Sequence, residues 1–164
     1  MTRELFDAES VAREVEDCYR RYIQLYPQQL LTSGNPVDFE ALGFWSFPLM
    51  MVICPHNSIN TFDEQAFDQM IRTQYDMYRE DGWAGQVELD SVEVHPLQFG
   101  FAVIEGKGTR YRTDGSVLDR WDTVYVVRKA KGTWQAFLIT DSLAARPTAE
   151  QWTAWVRSIA GSDD

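Results

Sequence analysis

Residues 99–128 read FGFAVIEGKGTRYRTDGSVLDRWDTVYVVR, two strand-like runs, Phe99 to Arg112 and Ser116 to Arg128, separated by Asp114-Gly115. Asp-Gly between alternating segments is a strong short-range hairpin signal, because a tight primed turn needs positive φ and these residues tolerate it best. Upstream, Val87 to Val94 is strand-like and ends on the turn signal His95-Pro96; downstream, Thr133 to Thr140 follows Lys131-Gly132. The four runs predict an antiparallel meander.

Two amphipathic helices precede it. From Asp7 to Tyr26 the residues Val11, Val15, Cys18, Tyr19, Tyr22, Leu25 and Tyr26 recur at spacings of three and four, the helical period. Pro27 disfavours helical geometry at the residue before it, and Ser33-Gly34-Asn35-Pro36 is a breaker cluster, so the long helix is expected to stop near Tyr26. Asp38 to Gly43 reads as a brief helical turn ended by glycine. Leu49 to Cys54 is the first strand, edge-like or bulged because of Pro48. After the turn residues Pro55 to Ser58, Thr61 and Glu64 have capping-box spacing, and Phe67, Met70, Ile71, Tyr75 and Tyr78 form one apolar face of a second helix that stops at Gly82. Thr148 and Gln151 offer another capping box before Trp152, Trp155, Val156 and Ile159, a C-terminal helix over about 148–160.

The chain has 164 residues, the size of one domain able to bury a single sizeable core. One domain over 1–164 is expected, with its core at about 7–142. With 45% hydrophobic residues and no run approaching the ~20 apolar residues of a membrane helix, it reads as folded and soluble. The acidic start, Met1 to Asp7, lacks a signal-peptide pattern, which points to the cytoplasm. Cys18 and Cys54 are then expected as free thiols. A net charge of −10 without a basic cluster argues against nucleic acid as a partner.

The order helix, helical turns, strand, helix and four antiparallel strands resembles the nuclear transport factor 2-like superfamily, which includes ketosteroid isomerase-like and SnoaL-like members. The closest local echoes are Asp114-Gly115-Ser116-Val117-Leu118, Asp122 to Arg128 and Gly132-Thr133-Trp134, which resemble the paired last strands of SnoaL-like proteins. The resemblance implies an α+β cone: a curved antiparallel sheet wraps the long N-terminal helix around a pocket, and the convex face often pairs with a second subunit. It leaves function open, since isomerases, dehydratases, epoxide hydrolases, polyketide cyclases and carriers share the shape. Ketosteroid isomerases use a helix-one tyrosine and a protonated aspartate as an oxyanion hole, with a carboxylate base near the end of the first strand. By resemblance Tyr22 matches the tyrosine, Asp122 lies near the oxyanion aspartate, and Cys54 falls where the base would sit.

The residues themselves leave alternatives. Tyr22 and Tyr26, one turn apart with Tyr19 nearby, could donate hydroxyls to a ligand carbonyl or pack as amphipathic core. Cys54 and His56 could pair as thiolate and imidazole, against the commoner reading of a small buried cysteine and a loop histidine. Histidine is the side chain suited to proton transfer near neutrality, so His56 or His95 could act as acid or base, but two distant histidines make no metal site. On the 116–128 strand either Asp119, Trp121, Thr123 and Tyr125 face inward, giving an aromatic wall, or Arg120, Asp122, Val124 and Val126 do, giving an internal ion pair. Asp141 is a rim acid or a turn residue.

These readings converge on a pocket for a compact apolar molecule with a polar handle, walled by Tyr22, Tyr26, Trp45, Tyr75, Trp121 and Tyr125, with Cys54 also expected to bind the ligand and no cofactor. Its enzyme version is acid/base chemistry with Tyr22 as donor and Asp122, Asp141 or His56 as base. The competing reading is a noncatalytic homodimeric module whose aromatics fill the cone while Trp152 and Trp155 dock the last helix. Both expect a homodimer through the convex face.

Overall fold

A computed structural model describes residues 7–31, 34–53, 58–98 and 100–140. Cys54, His56, Asp141 and the expected helix at 148–160 lie outside the described residues.

Helix α1 spans Ala8–Leu30, with the Asp7 carboxylate accepting from the Ser10 N–H at 3.1 Å as its N-cap. It runs through Pro27 rather than stopping at Tyr26. Proline removes one intrahelical hydrogen bond at a cost of about 3 kcal/mol. Here Tyr26, Pro27 and Leu30 are all buried, and that contact holds the last turn in place. The turn α2, Phe39–Leu42, ends at Gly43 in the left-handed region with φ 63°. Strand β1, Trp45–Ile53, starts earlier than expected, and its pairing with the last strand shifts register between Trp45 and Met50, the segment that holds Pro48. Strand β2, Ser58–Phe62, occupies residues expected as turn and cap; it pairs antiparallel with β1 from Leu49↔Phe62 to Ile53↔Ser58. The cap of helix α3, Glu64–Glu80, is therefore Asp63, whose side chain accepts from Ala66 N–H at 2.8 Å, and not Thr61.

Strand β3 covers Trp83–Leu97, so His95-Pro96 is strand and not turn. The sheet order β2-β1-β6-β5-β4-β3 explains why: β3 is an edge strand, where a residue without an N–H is tolerated. Strands β4 (Phe101–Arg112), β5 (Val117–Ala130) and β6 (Thr133–Thr140) complete the expected meander. Its hairpins turn at Gly115, with φ 84°, and at Lys131-Gly132. All neighbouring strands run antiparallel but β1 and β6, which are parallel. The result is a mixed α+β fold, a curved six-stranded sheet with a long N-terminal helix.

Helix α1 packs on the concave face through Val15, Tyr19, Tyr22, Ile23, Tyr26 and Leu30, all in the main core. Two inward positions of β4 are glycine, and a Cβ at Gly106 would meet the Tyr19 ring while one at Gly108 would meet the Trp121 indole. The missing side chains make room for Tyr19 of the helix and for the Trp121 indole that lies across β4.

Candidate functional site

Between α1, α3 and the concave sheet lies a cavity of about 90 Å³. Among its lining residues are Tyr22, Tyr26, Trp45, Tyr75, Trp121 and Tyr125, the six aromatics expected from the sequence to form the walls. Helical spacing explains the first two, since residues four apart share a face. Their rings stack at 5.3 Å between centroids, Tyr22 stacks on Phe44 at 4.5 Å, and Trp45 meets Tyr22 edge-on at 5.5 Å. Tyr75, from α3, closes the far side 5.8 Å from Tyr26.

Strand β5 resolves the open choice of face. Trp121, Thr123 and Tyr125 line the cavity, so the odd-numbered set is inward. Asp122, expected near an oxyanion position, is turned to the opposite face and lies 3.4 Å from Lys107 with its side chain 38% exposed. It cannot act on a ligand in the cavity, because adjacent strand residues point to opposite faces.

The polar group that sequence reasoning missed is Arg110. Its side chain is only 11% exposed, and it is anchored on three sides. Its Nη1 donates to both Asp119 carboxylate oxygens at 3.1 and 3.2 Å, and its Nη2 donates to the Tyr75 hydroxyl at 2.8 Å. Its guanidinium carbon stands over the rings of Trp121 at 4.5 Å, Tyr78 at 5.1 Å and Tyr75 at 5.4 Å, close enough for cation–π attraction. Tyr78 in turn donates to Asp119 at 2.9 Å and accepts from Gln74 at 3.1 Å. Burial alone would disfavour the Arg110 charge, but the surrounding oxygens of Tyr75, Tyr26, Asp119 and Tyr78 outweigh it and hold the group firmly protonated.

The tyrosines are held as neutral donors. Burial pushes the pKa of Tyr22, Tyr26 and Tyr125 well above the ordinary phenol value and that of Tyr19 upward. Tyr78 is pushed up to about 12, again mainly by burial, with Asp119 adding to it and Arg110 opposing.

Three residues that line the cavity carry buried polar atoms that have no hydrogen-bond partner among the described residues: the Tyr26 hydroxyl, the Trp45 indole Nε1–H and the Arg110 Nε–H. Tyr75 lies near the first and Tyr22 near the second, but off hydrogen-bonding geometry. No Asp, Glu or His lines the cavity among the described residues. Asp119 reaches only its border, tied to Arg110 and Tyr78.

Outside the cavity, His95 lies on β3 beside Glu93 at 3.7 Å and Glu105 at 3.5 Å, its side chain 46% exposed. The ligand atoms of the three lie within 4.8 Å of one another, a grouping that cross-strand pairing creates and sequence distance concealed.

A long helix held in a curved sheet around an aromatic cavity defines a cone-shaped α+β protein. The chain belongs to the family described as NTF2-like protein (DUF6841), which matches residues 13–143. No curated protein sequence matches the chain. Among solved structures it is similar to Aln2 from a Streptomyces species, at 15% identity over 84% of this chain and 92% of that one, with a TM-score of 0.58. An NTF2-like protein with a cystatin-like fold from Novosphingobium aromaticivorans aligns at 16% identity over 88% of each chain, TM-score 0.57. A ketosteroid isomerase-like protein from Erwinia carotovora atroseptica aligns at 12% identity over 79% of this chain and 92% of that one, TM-score 0.52. At these identities the likeness is one of fold.

Proposed function

We propose that this protein binds a compact, largely apolar molecule in the cone, using aromatic walls for affinity and a few buried donors for orientation. The observation that carries this reading is the set of three unpartnered buried polar atoms around one cavity. Each such group costs about 1–3 kcal/mol when left unsatisfied. Three together would consume much of the roughly 5–15 kcal/mol by which an ordinary domain is stable. A cavity of 90 Å³ has room for about three waters at ~30 Å³ each, or for one small ligand in their place.

Binding is favoured over conversion because no described carboxylate or imidazole lines the cavity. An acid/base version would have to draw its base from His56 or Asp141, with Tyr22 as donor. The test of the pocket is a titration with cyclopentane followed by the methyl NMR signals of Ile23, Ile71 and Ile139, which line the cavity. Saturable shifts of these three are expected; a flat titration refutes the pocket reading.

A second reading, the noncatalytic homodimeric module, draws support from the opposite face. There Val52 and Leu138 are buried under Met50, Val126 and Phe137, and Phe101 remains 37% exposed. An apolar strip on a sheet's outer face fits a second copy of the chain. Sedimentation as a monomer at micromolar concentration would sink the dimer, and it leaves the pocket untouched.

A further inference from the structure

Resting on the pocket reading, we propose that the ligand's polar handle is an uncharged hydrogen-bond acceptor, a carbonyl-class oxygen, selected by Arg110, Trp45 and Tyr26.

An indole Nε1–H and a guanidinium Nε–H can only donate. Both belong to residues that line the cavity and are buried without an acceptor in hydrogen-bonding geometry among the described residues, Trp45 being 6% and Tyr26 2% exposed. A ligand that offers only donors would leave these groups as they are. One that offers an oxygen lone pair satisfies them, and the Tyr26 hydroxyl can join because burial keeps its proton in place. Two of the donor-bearing residues share Tyr75 as a neighbour: Arg110 Nη2 donates to the Tyr75 hydroxyl at 2.8 Å, and the Tyr26 ring meets that of Tyr75 at 5.8 Å.

Charge separates a ketone or lactone from a carboxylate, which would also accept. The Arg110 charge is already compensated by Asp119 at 3.1 Å, and Arg110 is the only cationic side chain among the described residues that line the cavity. A carboxylate would therefore enter as an uncompensated buried anion, which is strongly unfavourable. An ammonium would meet the guanidinium and find no free carboxylate. Size limits the ligand further: a dry cavity of about 150 Å³ admits benzene, so 90 Å³ suits a chain of three or four carbons, or a small ring that reaches partly out through the open side of the cavity.

The test is a matched series, cyclopentane, cyclopentanone, cyclopentanecarboxylate and cyclopentylammonium, titrated into the full chain and read by NMR. Cyclopentanone is expected to bind about tenfold more tightly than cyclopentane, the worth of one or two net hydrogen bonds, and to shift the Trp45 indole N–H signal, assigned by its loss in Trp45→Phe. Trp45→Phe and, as a second variant that removes only a hydroxyl, Tyr26→Phe should each lower the ketone preference while cyclopentane still binds. If cyclopentane binds but the ketone gains nothing, or the carboxylate binds most tightly, the acceptor inference is overturned and the pocket stands. If none of the four binds, the pocket reading fails and the inference with it.

Discussion

Replacing Asp119 by alanine isolates the Arg110 ion pair. The change takes both carboxylate oxygens, 3.1 and 3.2 Å away, from Arg110 and the 2.9 Å acceptor from Tyr78. What remains for the guanidinium is the Tyr75 hydroxyl and the faces of Trp121, Tyr78 and Tyr75. Removing one partner of a buried pair costs about 3–5 kcal/mol, because the other charge stays in the interior without compensation. Asp119 is 22% exposed and Arg110 11%, so water screens the carboxylate side and the lower end, about 3 kcal/mol, is expected. For a chain of this length each kcal/mol moves Tm by roughly 2–4 °C, which predicts a fall of about 6–12 °C. Urea denaturation should show the same loss as a lower midpoint with an unchanged slope. Arg110→Met leaves behind the more exposed partner and should cost less than Asp119→Ala. The double variant Arg110→Met with Asp119→Leu should recover stability relative to Asp119→Ala, since apolar residues of similar volume often replace a buried pair without loss. An Asp119→Ala protein within about 1 kcal/mol of wild type, or a double variant no better than that single one, would refute a buried charge held by its partner.

Gly108→Ala places a Cβ against the Trp121 indole and 2.7 Å from the Glu88 carbonyl oxygen, and backbone there cannot move aside. We expect a loss of about 1–3 kcal/mol in urea unfolding, as for other overpacked cores, and an unchanged midpoint would mean the sheet gives more than its packing implies. In an alkaline titration of near-ultraviolet phenolate absorbance, Tyr22, Tyr26 and Tyr125 should not ionise until the fold is lost. Their folded pKa values lie above the ~10 of an unfolded tyrosine, so the unfolded chain releases these protons first; this stability is complete below about pH 10 and is lost as pH rises, through about 12 for Tyr78. Seven phenols titrating together near pH 10 in folded protein would contradict the burial. Cys18 is half-buried, its thiol donates to the Trp134 carbonyl at 3.3 Å, and burial raises its pKa, so iodoacetamide should label it slowly at neutral pH in a Cys54→Ser background. Rapid labelling would place the thiol in solvent.

The architecture was legible where local chemistry and tertiary packing agreed. Helix α1 carries its buried residues at helical spacing, and the Asp-Gly and Lys-Gly turns bracket the strands they join. It was obscured where context overruled the local signal. Pro27 is helical because its turn is buried, and Pro96 is in a strand because that strand is an edge. Strand β2, Ser-Ile-Asn-Thr-Phe, is short, polar and peripheral, and its pairing with β1 rather than its composition makes it a strand.

The site was half legible for a related reason. Aromatic walls are visible in a sequence because large rings at core spacing have few other places to go. A buried ion pair is not, since an arginine in Glu-Gly-Lys-Gly-Thr-Arg reads as solvated surface. The signal was nonetheless present in the alternation. On β4 the even positions Ala102, Ile104, Gly106 and Gly108 are small or apolar, and charge begins only at Arg110, followed by Arg112 at the strand's end, while Glu105 and Lys107 fall on the odd face. On β5 the odd positions Trp121, Thr123, Tyr125 and Val127 are uncharged, with Asp119 before them and the exposed Lys129 after them, while Arg120, Asp122 and Arg128 fall on the even face. A charge that adjoins an apolar inner face needs a partner there, and the hairpin register pairs Arg110 directly with Asp119. Each strand alone left its inner face undecided; the demand that Arg110 and Asp119 meet across Asp114-Gly115 fixes both faces at once. The same step puts Trp121 and Tyr125 in the wall and turns Asp122 away from it.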